Sequence, residues 1–366
     1  MPFIDLHAHY PMHLDFPPVP LPDSQDNKTI RKGMGWANKL ANRENIFSGP
    51  RVSRTKARLG RLKAFGSVLY NPADEFYKQY KPFKALLALS EQVEKKMENS
   101  KHFQMARNGA ELKCIIDEGK RIAVFHCIEG AYAIEDPCNV AELASRGVAY
   151  VVVAHLLYRG IARNVNAFAC LNDELHEKMW WQPPGGLSPK GKAICQKLCE
   201  KNILLDITHS DEESIDDIFD IAKKFGKPVI TSHTAARCIH NYKQKLNISD
   251  NDIGRIRDIG GLVGIIFYNH WLRTKDPPEK EMELLCEHID HIAEVCGSAN
   301  EPNYDHIAIG SDLDGFIKPV KGLETLSDAP KLESMLEEKF PEKKFPKVAK
   351  KILYENALRV LAEHWG

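Results

Sequence analysis

No run of apolar residues in this 366-residue chain approaches the roughly 20 that a membrane-spanning helix needs. Excess charge is missing too. The 50 basic residues meet 50 acidic ones, so no overall field draws the protein to nucleic acid or to a membrane surface. Close cysteine pairs are also lacking. The nine cysteines, odd in number and spread out, have neither the spacing of a zinc ribbon nor that of a disulfide framework, which points to reduced thiols. Cys195 and Cys199, four apart on a predicted helix, read as core residues. No charged start with an apolar core, the mark of a secretory signal, precedes the first strand, and the stretch from Tyr354 to Gly366 reads as an amphipathic helix without an anchor tail. The expectation is a soluble, cytoplasmic protein that acts on a small molecule, with membrane and nucleic acid set aside as partners.

What the chain does contain is a regular alternation. Apolar runs of strand length recur near residues 3–6, 64–70, 122–128, 148–154, 203–208, 228–232, 262–267 and 306–310, with helical stretches between them. The run from Val148 to Ala154 is almost continuously apolar, as expected of a parallel strand buried on both faces. Eight such units predict a single α/β domain over residues 1–366, a (β/α)8 barrel of the TIM type. The second run, Lys63 to Tyr70, is the least strand-like of the eight.

Active sites of such barrels lie at the C-terminal ends of the strands, and the polar residues of this chain collect there. His7 and His9 close the first run, Glu129 the third, His155 the fourth, His209 the fifth, His233 the sixth and Asp312 the eighth. His7 and His9, two apart on a strand, share a face. Neutral imidazoles suit zinc and similar divalent ions, and the order His-x-His, Glu, His, His, Asp describes a two-metal hydrolase. Metal binding lowers the pKa of water from 15.7 to roughly 7, which makes a nucleophile available at neutral pH. A nearby histidine could stabilise the developing oxyanion, and an acid-base residue must reach both nucleophile and leaving nitrogen. Asp206 reads as a buried orienting group and Asp314 as a structural residue at a turn.

Several longer blocks narrow the field. They are Ile128-Glu-Gly130, Gly186-Leu-Ser-Pro-Lys-Gly-Lys-Ala-Ile-Cys195 running into Ile203-Leu-Leu-Asp-Ile-Thr-His-Ser210, Pro228 to Ala235, Gly310-Ser-Asp-Leu-Asp-Gly315 and Asn356 to Val360. With them the chain resembles the renal-type (membrane) dipeptidases, peptidase family M19 of the amidohydrolase superfamily. The resemblance implies a zinc-dependent hydrolase of dipeptides with two ions per chain. His7 and His9 would hold one ion, His209 and His233 the other, and Glu129 would bridge them. Asp312 would be the acid-base residue and His155 a contact to substrate and tetrahedral intermediate. The resemblance also implies a homodimer.

Two departures from the family pattern bear on the substrate. His9 stands where the family has aspartate, which leaves the metal centre one unit more positive and implies a weaker hold on that ion or a more anionic substrate. After the sixth run the family places an arginine before asparagine to grip the dipeptide carboxylate, and here the sequence is Lys245-Leu246-Asn247. Loss of an arginine fork worth about 1.5–3 kcal/mol would weaken binding roughly ten- to a hundredfold. Lys245 and Arg237 are the candidates to replace it, although neither presents the same planar fork in the same place. Tyr268 and Trp271, just past the seventh run, are candidate pocket walls.

Residues 10–63 read as an insertion after the first strand. A proline-rich stretch, Phe16 to Pro22, leads into a segment from Lys28 to Lys63 with eleven Lys or Arg against the single acid Glu44. Emerging on the catalytic side, it is expected to act as a lid or to attract an anionic substrate, with Arg51, Arg54 and Arg58 as the charges to test. The same ligand order also fits metal-dependent phosphoesterases such as TatD-like nucleases, and a metal-bound binding protein without turnover is a third reading.

Overall fold

In this computed structural model the described residues are 1–14, 50–72, 82–168, 171–240, 245–274 and 278–366. Nine strands form one parallel sheet: β1 (Phe3–Ala8), β2 (Leu62–Leu69), β3 (Phe103–Met105), β4 (Ile122–Glu129), β5 (Val148–Val152), β6 (Leu204–Asp206), β7 (Val229–Thr234), β8 (Leu262–Ile265) and β9 (Ile307–Ile309). Pairing runs β2-β1-β9-β8-β7-β6-β5-β4, and β2 also pairs with β4, which closes a ring of eight. The (β/α)8 barrel expected from the alternation is therefore present.

Register explains the two apolar layers, because directly paired residues share a face of the sheet. Ile4 pairs with Ala64 and Ala64 with Ala123, Tyr150 pairs with Leu204, and Ile230 with Leu262. All of these fall in one buried cluster, the barrel interior. The alternate set, Val124, Val151, Leu205, Val229 and Val263, packs with helix residues such as Leu89, Leu198 and Ile218. The helix Pro189–Glu200 shows why the local sequence folds as it does. Ser188 caps it by accepting from the Gly191 amide, Pro189 sits where a missing N–H costs nothing, and Ile194, Cys195, Leu198 and Cys199 form its buried stripe. Both cysteines are core residues, as the sequence predicts.

Closure brings backbones unusually close. A Cβ on Gly264 would lie 1.9 Å from the Ser232 carbonyl oxygen, and one on Gly310 would lie 1.8 Å from it. Glycine is required at both positions so that β8 and β9 can press on β7.

The structure departs from the sequence expectations in one place. Strand β3 is not among the eight runs. It pairs only with the start of β4, where Phe103 meets Ile122 and Met105 meets Val124, and so lies outside the ring. Residues 15–49, including the proline-rich stretch, lie outside the described residues, but the end of the basic segment is described. Arg51 is buried, its amide donates to Asp314 Oδ1 and its Nη1 to the Glu324 carbonyl. Arg54 caps the Lys96 carbonyl. The helix Arg54–Leu59 leads back to the start of β2, so Arg58, Arg61 and Lys63 gather with Met1, His102 and Lys120 around a cavity at the N-terminal ends of the strands. These charges are at the end of the barrel opposite to the expected lid.

Candidate metal centre

Glu129, the last residue of β4, is 3 % exposed and stands in a ring of imidazoles. Its Oε1 lies 3.5 Å from Nε2 of His7, His155 and His233 and 3.6 Å from Nε2 of His209, while Oε2 faces His9 Nε2 at 3.4 Å. His7 and His9 come from the end of β1, His233 from β7, and His155 and His209 from just beyond β5 and β6. Asp312 follows β9 and places Oδ1 3.0 Å from His9 Nε2 and 3.9 Å from His7 Nε2. All seven residues are buried. The site residues assigned by position to strand ends thus meet in one place.

Two of them hold conformations that L-residues seldom adopt: His209 has φ 66° and Asp312 φ 57°. The backbone at Asp312 is pinned on both sides, its amide donating to the His7 carbonyl while the His9 amide donates to the Leu313 carbonyl. Gly315 completes this turn because a Cβ there would lie 2.0 Å from Asp312 Oδ1.

The residues surrounding the ligands orient them. Tyr150 donates its hydroxyl hydrogen to the Leu6 carbonyl at 2.8 Å, so its lone pair is free to accept from His7 Nδ1–H at 2.9 Å. That bond fixes the tautomer and leaves the His7 Nε2 lone pair facing the centre. Ser232 Oγ sits 3.0 Å from His233 Nδ1 and 3.2 Å from His7 Nδ1, and serves both rings. Asp206 accepts from Thr208 N, Thr208 Oγ1 and Ser232 N, and so ties together the residues flanking His209 and His233. Asp5 does the same for His7 and Ser311. Asp206 is thus an orienting group. Asp314 is structural, as expected, since its carboxylate accepts from the Arg51 and Val52 amides.

The electrostatics suit cations. Burial, with His7 alongside, holds His233 well below the usual imidazole range, and burial also lowers His7 and His209, so these rings are kept in the neutral, ligating form. Burial works against ionisation of Glu129 as well, but the surrounding imidazoles, His155 first, hold it well below the ordinary carboxylate range. Burial likewise opposes protonation of His9, yet Asp312 and Glu129 raise it. Burial pushes Asp312 up to about 6.

These residues fit a divalent metal. His7 Nε2, which faces the centre, is buried without a hydrogen-bond partner, a costly arrangement unless an ion takes up its lone pair. His209 Nε2 and His233 Nε2 lie 3.2 Å apart. Two nitrogens on one tetrahedral zinc, with bonds of about 2.0–2.1 Å, are separated by roughly 3.3 Å. Three-residue sets with ligand atoms mutually within 4.8 Å include His7–His9–Glu129, Glu129–His155–His209 and His7–His233–Asp312.

The remaining candidates are placed less uniformly. Arg237 is committed elsewhere: Nε donates to the Asn247 carbonyl, Nη2 to the Lys245 carbonyl and Nη1 to Glu212. Its fork holds the loop that carries Lys245. Lys245 is exposed and lines a cavity of about 370 Å³ with Asn164, Trp180, Trp181 and Asp211. Tyr268 is half-buried and packs against Trp271, 6.1 Å between centroids. Trp271 is the ring that reaches the ligands, stacked on His233 at 6.0 Å and edge-on to His209 at 5.6 Å.

A sequence model of the membrane dipeptidase family, peptidase family M19, matches residues 1–364. The chain belongs to that family. Among curated relatives of this M19 chain, Dipeptidase tcpJ of Claviceps purpurea is 26 % identical over 266 residues, covering 72 % of this chain and 56 % of its own length. An uncharacterised dipeptidase of Schizosaccharomyces pombe is 29 % identical over 213 residues, covering 58 % and 46 %. The M19 chain thus spans about half the length of the curated relatives it matches. Among solved structures, the metallopeptidase dipeptidase AC superposes with TM-score 0.76 at 18 % identity, covering 100 % of this chain and 99 % of the other. A Rhodobacter sphaeroides metallopeptidase liganded with a phosphinate mimic of the dipeptide L-Ala-D-Ala gives TM-score 0.75 at 18 % identity and the same coverage. At such identities these two likenesses establish the M19 fold. No helix among the described residues is long and apolar enough to cross a membrane.

Proposed function

We propose that this protein is a metal-dependent dipeptidase whose centre holds two divalent ions, zinc being the ion its donors suit best. The observation that carries the reading is the position of Glu129, with Oε2 toward His9 and Oε1 toward His7, His209 and His233, beside an acid-base group, Asp312, 6 % exposed. When bound, the ions would polarise the scissile carbonyl and acidify water.

The chain's own residues do the rest. Asp312, with Oδ1 3.0 Å from His9 Nε2 at the edge of the centre, is the group placed to accept and return a proton. His155 points Nε2 into the centre and is wedged between Tyr70 and His209, with ring centroids 4.7 and 4.9 Å away. It is the group placed to donate to an oxyanion. Trp271 and Tyr70 wall the ligand rings with apolar surface, which strengthens every charge interaction inside. Binding of a dipeptide-mimicking phosphinate by the R. sphaeroides relative supports a dipeptide as the substrate class. Imidazole at position 9 in place of a carboxylate favours the more anionic members of that class.

A phosphoesterase reading would draw on the basic insertion. Among the described residues that support is lost, because Arg51 is buried and Arg58, Arg61 and Lys63 lie at the other end of the barrel. The test is metal content per chain, followed by hydrolysis of a dipeptide panel and a generic phosphodiester with zinc, manganese or no metal. About two metals and dipeptide turnover, reduced at least a hundredfold in Asp312→Asn with metal retained, is the expected result. Phosphodiester turnover alone would overturn the reading, and metal without any turnover would make this a binding protein.

A further inference from the structure

Away from the buried centre, three side chains of different chemistry converge at the rim of the barrel. Cys238 lies in the turn after β7, Asp250 in the first turn of the helix Asp250–Asp258, and His291 on the helix Glu283–Cys296. One ligand atom from each lies within 4.8 Å of the others. His291 Nε2 is 2.8 Å from Asp250 Oδ1. Two of the three are held by rigid elements. Ser249 caps the helix beneath Asp250 by accepting from the Asp252 amide, and the helix bearing His291 buries Leu285, Ile289 and Ile292 on its opposite face. The third is fixed through its neighbour, since the Arg237 amide donates to the Ile248 carbonyl and the Arg237 side chain holds the carbonyls of Lys245 and Asn247.

We propose that Cys238, Asp250 and His291 form a separate mononuclear zinc site at the surface. A thiolate, an imidazole and a carboxylate together match zinc and disfavour magnesium or calcium, which take oxygen ligands. Three protein ligands leave a fourth position open, so the site is exchangeable rather than a closed structural one. An ion there clips the turn after β7 to the helix Glu283–Cys296. Because that turn grips the Lys245 segment through Arg237, zinc occupancy would stiffen the side of the cavity on which Lys245 stands. None of the three residues takes part in the dipeptidase reading, so the two proposals stand or fall separately.

Sulfur separates this site from the buried centre, whose ligands are nitrogen and oxygen. The full-length protein is titrated with cobalt(II), following the near-ultraviolet thiolate-to-cobalt charge-transfer band. Once the buried centre is filled, one further equivalent should generate the band in the wild type, Cys238→Ser should abolish it, and His291→Gln should weaken binding at least tenfold. In parallel, iodoacetamide labelling is followed by peptide mass spectrometry with and without zinc. Zinc should slow alkylation of Cys238 at least tenfold and leave the exposed Cys114 and Cys138 unchanged as internal controls. Equal alkylation of Cys238 with and without zinc, or a band that persists in Cys238→Ser, overturns the proposal.

Discussion

His9 Nε2 lies 3.0 Å from Asp312 Oδ1 and 3.4 Å from Glu129 Oε2. A single imidazole nitrogen therefore faces both the proposed acid-base residue and the carboxylate proposed to bridge the ions, and it stands where the sequence resemblance implies an aspartate. Restoring the carboxylate with His9→Asp should tighten retention of the ion at that position, slowing its loss to a chelator about tenfold or more. It also sets a like charge against Asp312, so the acidic limb of the kcat/KM profile should move to higher pH. A profile and a chelation rate identical to wild type would mean that position 9 does not ligate.

Tyr150 provides a second check on the centre. Its hydroxyl is the group that orients His7, so Tyr150→Phe should lower metal affinity about ten- to a hundredfold while leaving the fold intact. Competition against a chromophoric chelator measures this. An unchanged affinity would reduce Tyr150 to a packing residue.

The legible and illegible parts of this site differ in kind. The ligands could be read because a histidine or acid at the end of an apolar run is conspicuous, and the barrel rule then puts all such ends on one face. Tyr150 and Ser232 gave no such signal, since a tyrosine in Val-Ala-Tyr-Val-Val and a serine in Ile-Thr-Ser-His are ordinary strand residues until the tertiary fold aims them at His7 and His233. Arg237 was visible as a cation but its partners were not, since backbone carbonyls of a neighbouring loop carry no sequence signature. Strand β3 has only three residues, too few for any periodicity to register. The placement of Arg58, Arg61 and Lys63 was not legible, because charge density says nothing about which end of a barrel a returning helix will reach.

Asp5 should leave its mark on stability. Burial raises its carboxyl from the ordinary 3.8 to about 7, despite hydrogen bonds from Ser311 and His7. The folded metal-free protein thus keeps a proton that the unfolded chain releases above pH 4, and this contribution to stability is lost as pH rises from about 4 to about 7. The buried imidazoles slope the other way, so the diagnostic quantity is a difference. Relative to wild type, metal-free Asp5→Asn should gain stability across that window in urea melts at stepped pH. A constant difference would mean that Asp5 is ionised throughout.

The close approach of β9 to β7 should make Gly310→Ala costly. Its Cβ would meet the Ser232 carbonyl at 1.8 Å, with His7 Cβ only 3.5 Å away. We expect about 3 kcal/mol of destabilisation together with weakened metal binding, because any relief moves Ser232 or His7. Denaturant unfolding and metal retention on the same preparation test both. A well-folded variant with normal metal content would show that the strands can separate without disturbing the centre.

Strand β1 closes against β9, and Asp5 meets Ser311 across 306 residues of chain. At 5–20 residues per second, a ribosome takes about 15–60 s to synthesise that interval. His7 and His9 are therefore made well before the residues they face in the closed barrel. For that time His7 and His9 have neither β9 nor Asp312 to face, so ions can be captured only once barrel closure is in reach. For the two-ion centre proposed above, metal loading and barrel closure would then be one event, which would couple metal supply to the yield of folded protein.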